Sequence, residues 1–309
     1  MKKLLAITLL LLAGCGEEQD APNTGVVAAD TGRPVIYTVN YPLAWMAQQL
    51  LADSARVAIA APAGIDPAFW QPDTDRVLQT QQADLLLLNG AGYASWVARV
   101  SLPGRILVDT SAAYHAQLLT VLAGPLHSHG PGGERSHGEL AFTTWLDLDL
   151  ARQQSQAVAT AAQRLLPLQA TAIEQRLAEL QQTLMAMDKR LMALGKKLDE
   201  RPLLYSHPVY QYLQHRYQVN GRALHWEPDQ VPDEAQWSEL QALLPSHPAQ
   251  IMLWEAQPLP EVQARLDELG IKTVVFSPIA NRPPAGDFVS GMAANIDRLE
   301  QSIRGIGSR

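Results

Sequence analysis

One apolar stripe in the middle of the chain restricts its fold more than any other feature. Ile173, Leu177, Leu180, Leu184, Met187, Leu191, Leu194 and Leu198 recur at alternating steps of four and three, with Glu, Gln, Lys and Arg between them. That period is one face of an α-helix. Pro167 and Pro202 bracket it, so the spacing predicts a single helix of about 30 residues, roughly 45 Å long at 1.5 Å per residue. Such a stripe has to be covered. A coiled-coil dimer would cover it, but a helix lying along two lobes of its own chain needs the same stripe. The second arrangement is the expectation here, with the chain a monomer, because α/β proteins cover their long helices internally.

The flanks of the stripe are α/β in pattern. Short apolar runs at residues 35–39, 57–61, 85–88 and 106–108 precede it, and runs at 203–205, 223–226, 251–254 and 273–276 follow it. Helical patterns fall at 42–51, at 74–82 and, as a closing helix, at 288–303. Continuous apolar strands separated by helices indicate parallel sheets covered on both faces. The expected fold class is therefore α/β, with two lobes, each a parallel sheet flanked by helices, joined by one long spine helix. The divisions are a signal and lipobox at 1–15, a tether at 16–33, an N-terminal lobe at 34–166, the spine at 167–200 and a C-terminal lobe at 201–309.

Charge and cysteine usage exclude several functions. With 24 Lys and Arg against 31 Asp and Glu, the formal net charge is −7, whereas binding nucleic acid needs a basic face that displaces counterions. The chain has a single cysteine, Cys15. It has no partner for an internal disulfide, and no cysteine-based zinc or iron–sulfur site is open to it, so a bound metal must be held by His or oxygen ligands. Lys2 and Lys3, the apolar run at 4–12 and Leu12-Ala13-Gly14-Cys15 together match a bacterial export signal ending in a lipobox. The run is too short to span a bilayer, which takes roughly 20 apolar residues. Cys15 is thus the expected lipidation site. It would anchor the chain on the periplasmic or cell-surface side of a membrane through acyl chains, with polar residues 16–33 as a flexible tether.

Several motifs now stand in order: Tyr41-Pro42-Leu43-Ala44, Ala63-Gly64-Ile65-Asp66-Pro67, Ala83-Asp84-Leu85 with Asn89-Gly90 and Trp96, Trp145-Leu146-Asp147, His207 with Tyr212, and Met292 with Asn295 and Leu299. Over residues 34–303 this order resembles the periplasmic substrate-binding lipoproteins of zinc and manganese ABC transporters, the cluster A-I family. The resemblance implies a ligand cleft between the lobes, small closing motions, and delivery of a metal to an inner-membrane ABC permease driven by a cytoplasmic ATPase. In that family the metal is typically held by a His after the Asp-Pro of the first lobe, a His before Trp-Leu-Asp, a His opening the second lobe and a carboxylate near the last strand. Those places carry Ala68, Thr143, His207 and Ser277 here. Ala cannot coordinate, and neutral hydroxyls are poor zinc ligands, so of the four only His207 carries over.

Two features keep metal in view. Residues 126–139 set His127, His129 and His137 with Glu134 and Glu139 among glycines, a metal-binding composition in which glycine lets separated imidazoles converge; the same composition also suits a solvated loop that binds nothing. In addition, polar side chains end apolar strands, where α/β sheets place their ligands. They are His207, His225 with Glu227, and Glu255. His225 and Glu227 alternate and would share one side of a strand, as a cleft wall or as a salt-linked surface. The expected metal ligands are His207, Glu227 and Glu255 with His127, His129 and His137. Asp66, Trp70, His225 and Trp226 are the expected cleft lining. Imidazole with carboxylate suits zinc first, with manganese, nickel and copper also in range.

The run Phe69-Trp70-Gln71-Pro72, and Trp226 and Trp254 beside the acidic candidates, offer a different cleft, one lined by indole that takes a metal chelate or small organic ligand. A metal-buffering or adhesive lipoprotein with no permease is a further alternative. Gly-x-Ser-x-Gly, His-Glu-x-x-His and the phosphate-binding Gly-x-x-x-x-Gly-Lys-Ser/Thr are all missing, so an enzyme is not expected.

Overall fold

A computed structural model describes residues 32–121, 140–198 and 201–306. The first lobe is built from β1 (Val35–Thr38), α1 (Tyr41–Leu51), β2 (Arg56–Ile59), α2 (Thr74–Gln81), β3 (Leu85–Leu88) and β4 (Leu107–Asp109). All its strands are parallel and lie in the order β2-β1-β3-β4. α3 (Leu148–Leu165) and α4 (Ala170–Lys197) follow. The second lobe comprises β5 (Leu203–Tyr205), α5 (Gln211–Tyr217), β6 (Gly221–Ala223), α6 (Glu234–Leu243), β7 (Ile251–Trp254), α7 (Pro260–Glu268), β8 (Lys272–Val275) and α8 (Phe288–Ile306). Its sheet repeats the plan, parallel with order β6-β5-β7-β8. Two α/β lobes with parallel sheets and a long connecting helix are thus present, as the alternation of strand and helix patterns implies.

Local chemistry sets the helix starts. The Asn40 side chain accepts a hydrogen bond from the Leu43 amide to cap α1, which has Pro42 in its first turn, and Asp147 accepts from the Asp149 and Leu150 amides to cap α3. A reciprocal capping box between Asp233 and Gln236 opens α6. Each satisfies amides that the first turn of a helix leaves unpaired. Among the described residues no helix is long and apolar enough to cross a membrane.

All eight residues of the stripe are buried inside their own chain, and α4 packs on α1 and α3 and also on α5 and α8 of the second lobe. The stripe is therefore consumed by internal packing. One continuous core joins Ile36, Leu86 and Trp145 of the first lobe through Leu184 and Leu191 to Tyr205, Leu253 and Phe276 of the second. A smaller core, with Trp226, Trp237 and Trp254, fills the far side of the second sheet.

One expectation is corrected. The run at 223–226 is not the strand: β6 is Gly221–Ala223, and His225 and Glu227 lie beyond it and do not share a strand face. Pro167 lies in a short turn at Pro167–Gln169 just ahead of α4.

The spine approaches the second lobe so closely that one glycine is required. A Cβ on Gly195 would sit 2.1 Å from the Tyr217 carbonyl oxygen. Replacing a helical glycine by alanine ordinarily stabilises by roughly 0.5–1 kcal/mol. Here the sign reverses: Gly195→Ala is expected to lower stability by about 1–3 kcal/mol through overpacking, read as a lower urea midpoint with unchanged m-value.

Candidate functional site

In a doubly wound parallel sheet, ligands gather where chain direction reverses, outside the carboxyl ends of the strands. In the second lobe that point lies between β5 and β7. His207 follows β5 by two residues, Glu255 follows β7 directly, and Glu227 follows β6 on the other side of β5. Strand neighbours about 4.8 Å apart thus bring a carboxylate to each side of one imidazole. Glu227 Oε1 lies 3.6 Å from His207 Nε2, and Glu255 Oε1 lies 3.5 Å from His207 Nδ1. The His207 side chain is 6% exposed, against 35% for Glu227 and 29% for Glu255. Ser206 fixes its neighbour, because its amide donates to the Leu253 carbonyl and its own carbonyl accepts from the Trp226 amide.

The two spacings carry chemical information. They exceed a good hydrogen bond, but two donors bound to one tetrahedral zinc at about 2.0–2.2 Å stand roughly 3.4 Å apart. Either His–Glu pair therefore has the separation of two ligands of one ion. The imidazole has one nitrogen for an ion, and the second glutamate then faces the other nitrogen, the carboxylate–histidine–metal arrangement that fixes ring orientation. Among the described residues no group of three or more His, Cys, Asp or Glu is placed to hold an ion alone. The second lobe supplies half a shell.

These residues open on a cavity of about 850 Å³ between the lobes. From the first lobe it is lined by Asp66, Phe69, Tyr93, Phe142, Thr143 and Trp145; from the second, Ser277, Asn295, Arg282 and Arg298 join His207, Glu227 and Glu255. Asp66 lies on the rim, where its carboxylate accepts from the Ala68 amide at 2.9 Å. The aromatic side chains stack edge to face in sequence: Phe69 on Phe142 at 6.2 Å, Phe142 on Tyr93 at 5.2 Å, Tyr93 on Trp145 at 5.7 Å between centroids. Burial pushes the Tyr93 hydroxyl well above the usual tyrosine range, and the nearby Asp66 carboxylate adds to the shift, so it stays a proton donor.

The first lobe's own reversal point, between β1 and β3, is filled from within. Asn89 Oδ1 accepts from Asn40, Thr144 and Gln154, and its Nδ2 donates to the Phe142 carbonyl at 2.8 Å. This buried amide hub places Phe142 and Thr143 in the cavity wall.

The altered family positions have structural work. Ala68 is buried. The Thr143 hydroxyl donates across the lobes to the Val209 carbonyl. Ser277 is held by Asn295, which accepts from its amide at 3.1 Å and donates to its carbonyl at 2.7 Å. None of the three presents an imidazole or carboxylate to the cavity.

Several expected cleft residues are placed elsewhere. Trp226 is 1% exposed and packs on Trp237 and Trp254 in the smaller core, away from the cavity. Its indole is needed to fill the layer behind the sheet. Trp70 packs edge to face on Trp96 and is not part of the lining, whereas its neighbour Phe69 is. His225 stands 6.0 Å from His207, ring to ring, also outside the lining. Cys15, His127, His129 and His137 lie outside the described residues. The stem of the segment that carries the three histidines is described, however. Thr120 bridges Leu140, and the Tyr212 hydroxyl accepts from the Leu119 amide and donates to the Ala141 carbonyl, both at 3.0 Å. Phe142, two residues past that bridge, is already in the cavity wall. Tyr93, Phe142 and Trp145 were not anticipated as lining; the one available signal was the strand-end turn after Asn89-Gly90.

Lobe-to-lobe bonds frame the cavity. Trp145 Nε1 donates to the Pro278 carbonyl at 2.7 Å, and the Tyr41 amide to the Ala280 carbonyl at 2.8 Å. Asn281 Nδ2 reaches both the Pro62 and Ile65 carbonyls, at 2.8 and 2.6 Å. Between these anchors Ile279 adopts φ +58°, a conformation that costs a β-branched residue about 1–3 kcal/mol.

Comparison with known proteins identifies a family. Residues 36–302 match the family model described as ZnuA, zinc-uptake complex component A, periplasmic. The chain is 22% identical to the high-affinity zinc uptake system protein ZnuA of Bacillus subtilis, over 97% of this chain and 96% of that protein. The fold resembles the Zn(II)-bound ZnuA-like domain of Streptococcus pneumoniae AdcA, with TM-score 0.72 at 20% identity over 88% of this chain and 99% of that one. It also resembles the substrate-binding protein FpvC of Pseudomonas aeruginosa in complex with Mn2+, with TM-score 0.72 at 21% identity over 89% and 100%.

If Asn281 latches the two loops, Asn281→Ala should leave global stability within about 1.5 kcal/mol, the net worth of such bonds. Amide exchange in residues 62–66 and 279–283 should rise about tenfold, the effect of ~1.4 kcal/mol on a local opening, while α4 is unaffected.

Proposed function

The chain belongs to the periplasmic zinc-uptake complex component A family, and from that premise we propose that it captures a divalent metal ion, zinc before others, in its interlobe cleft for delivery to a membrane permease. Members of this family are extracytoplasmic metal-binding partners of ABC transporters, and the family is not one of enzymes. The observation that carries the reading is the pair of 3.5 and 3.6 Å spacings that Glu255 and Glu227 keep from His207 at the point where the second sheet reverses. His207 and one glutamate are the proposed protein ligands from the second lobe, the other glutamate orienting the ring. His127, His129 and His137 are the proposed source of a further imidazole. Support for that comes from the stem of their segment, which Tyr212 pins beside the cavity wall.

Imidazole and carboxylate suit zinc, and the Bacillus subtilis relative is named for zinc uptake. Manganese, nickel and copper take the same donors, and FpvC is described with Mn2+ and with Ni2+. Capture would draw the lobes together only slightly, because the bonds between them are already made. The closed form is the one we assign to recognition by the permease and its ATPase, with the protein acting as a monomer tethered through lipidated Cys15.

Calorimetric titration of the metal-stripped mature chain should give one zinc per chain. His207→Ala, and separately deletion of residues 126–139, should each weaken binding at least about tenfold, as loss of a ligand or its support does. Because imidazole coordinates only when unprotonated, affinity should fall as pH drops through the histidine range near 6.5. Unchanged affinity in both variants would overturn the site. The anchor is tested apart from it: palmitate labelling of cells should be lost in Cys15→Ser and retained in His207→Ala.

A further inference from the structure

The cavity is much larger than the ion it would hold. Its volume of about 850 Å³ lies within the range of roughly 300–1,000 Å³ that accommodates small organic ligands, while an ion with bonds near 2 Å fills only the corner beside His207. Closure cannot absorb the difference. The bonds Trp145 to Pro278, Tyr41 to Ala280, Thr143 to Val209 and Asn281 to Pro62 and Ile65 join the lobes around the cavity, and bringing the first-lobe wall onto the ion would break them.

That wall has the chemistry of an organic subsite. Phe69, Phe142 and Tyr93 present aromatic surface. Within it the Tyr93 hydroxyl is buried without a hydrogen-bond partner among the described residues, and Tyr93 is only 6% exposed. A buried donor left unpaired costs about 1–3 kcal/mol and calls for an explanation. As a protonated phenol it donates, so what it lacks is an acceptor. A bare cation offers none, whereas a carboxylate or carbonyl oxygen of a ligand does. Arg282 and Arg298 also line the cavity, positive groups that hinder a lone cation and complement an anionic chelator. Finally, the described residues supply only half a coordination shell, which leaves at least one position of a four-coordinate ion for a donor brought by the ligand.

We propose that the cleft takes its metal as a complex with a small aromatic or planar carboxylate chelator, the ion meeting His207 and Glu227 or Glu255 and the organic part lying against Phe69, Tyr93 and Phe142. This rests on the metal-capture reading above and specifies the form in which the ion arrives. The chelator's carboxylate accepts from Tyr93 and pairs with the arginine side of the cavity, while its aromatic ring replaces water on the apolar wall.

The experiment titrates the metal-stripped mature chain with free zinc, with pyridine-2,6-dicarboxylate, and with the 1:1 zinc complex of that chelator, by calorimetry and tryptophan fluorescence. The complex is expected to bind at least about tenfold more tightly than either component. Tyr93→Phe, which removes only the orphaned hydroxyl, should weaken the complex about three- to tenfold and leave free zinc within twofold. Phe142→Ala, with a thermal melt as its folding control, should do the same. His207→Ala should weaken zinc in both forms. If free zinc binds and the chelator only strips it away, the chelate inference falls and metal capture stands. If the chelator binds equally well without zinc, or if nothing binds, the metal reading itself falls.

Discussion

A single apolar core runs through both lobes because the stripe of one helix is buried by elements of both. α4 packs on α1 and α3 and also on α5 and α8 of the second lobe, and its stripe is buried from Ile173 to Leu194. Everything that shapes the cleft follows from this. Lobes that share buried surface at about 25 cal/mol per Å² cannot swing apart as two bodies on a flexible linker would. The cavity is accordingly a gap between two sheets, framed by hydrogen bonds from Trp145, Tyr41, Thr143 and Asn281.

The sheets were legible where burial was complete. Leu85–Leu88 and Ile251–Trp254 are read to the residue because parallel strands covered on both faces leave an uninterrupted apolar run. β6 was misplaced for the opposite reason. Gly221-Arg222-Ala223 is an edge strand with two exposed residues, and the apolar signal lies after it, in Leu224 and Trp226, which are buried as core and not as strand. The same error put His225 and Glu227 on one strand. The second-lobe half of the site was readable because His207, Glu227 and Glu255 interrupt or end apolar segments. Its first-lobe half was not. Tyr93 and Phe142 sit in segments without periodicity, and they meet only because Asn89, an unremarkable strand-end amide in the sequence, holds the Phe142 carbonyl.

The departures from the family pattern form a coherent set. Removing the expected ligands at 68, 143 and 277 would leave holes or unpaired groups if those positions had been simply vacated. Instead Ala68 is packed, Thr143 bonds across the lobes, and Ser277 is clamped by Asn295. Carboxylates stand instead at the ends of β6 and β7, flanking the one histidine that remains. The acidic groups flank the centre of the second sheet, and the wall opposite is aromatic.

A carrier has to release its cargo as well as hold it, and here the incomplete donor set of the second lobe bears on residence time. A shell closed entirely by one rigid lobe would hold an ion through every opening of the cleft, and dissociation would require breaking all its bonds in sequence. In the proposed site, with two protein donors on one side and the remainder supplied from elsewhere, losing the other contributors would leave the ion on His207 and one glutamate only. Affinity differences between related complexes are expressed mainly in dissociation rates. Such a half-shell on a rigid sheet would separate tight capture from slow escape, and would allow hand-over without the two lobes having to come apart.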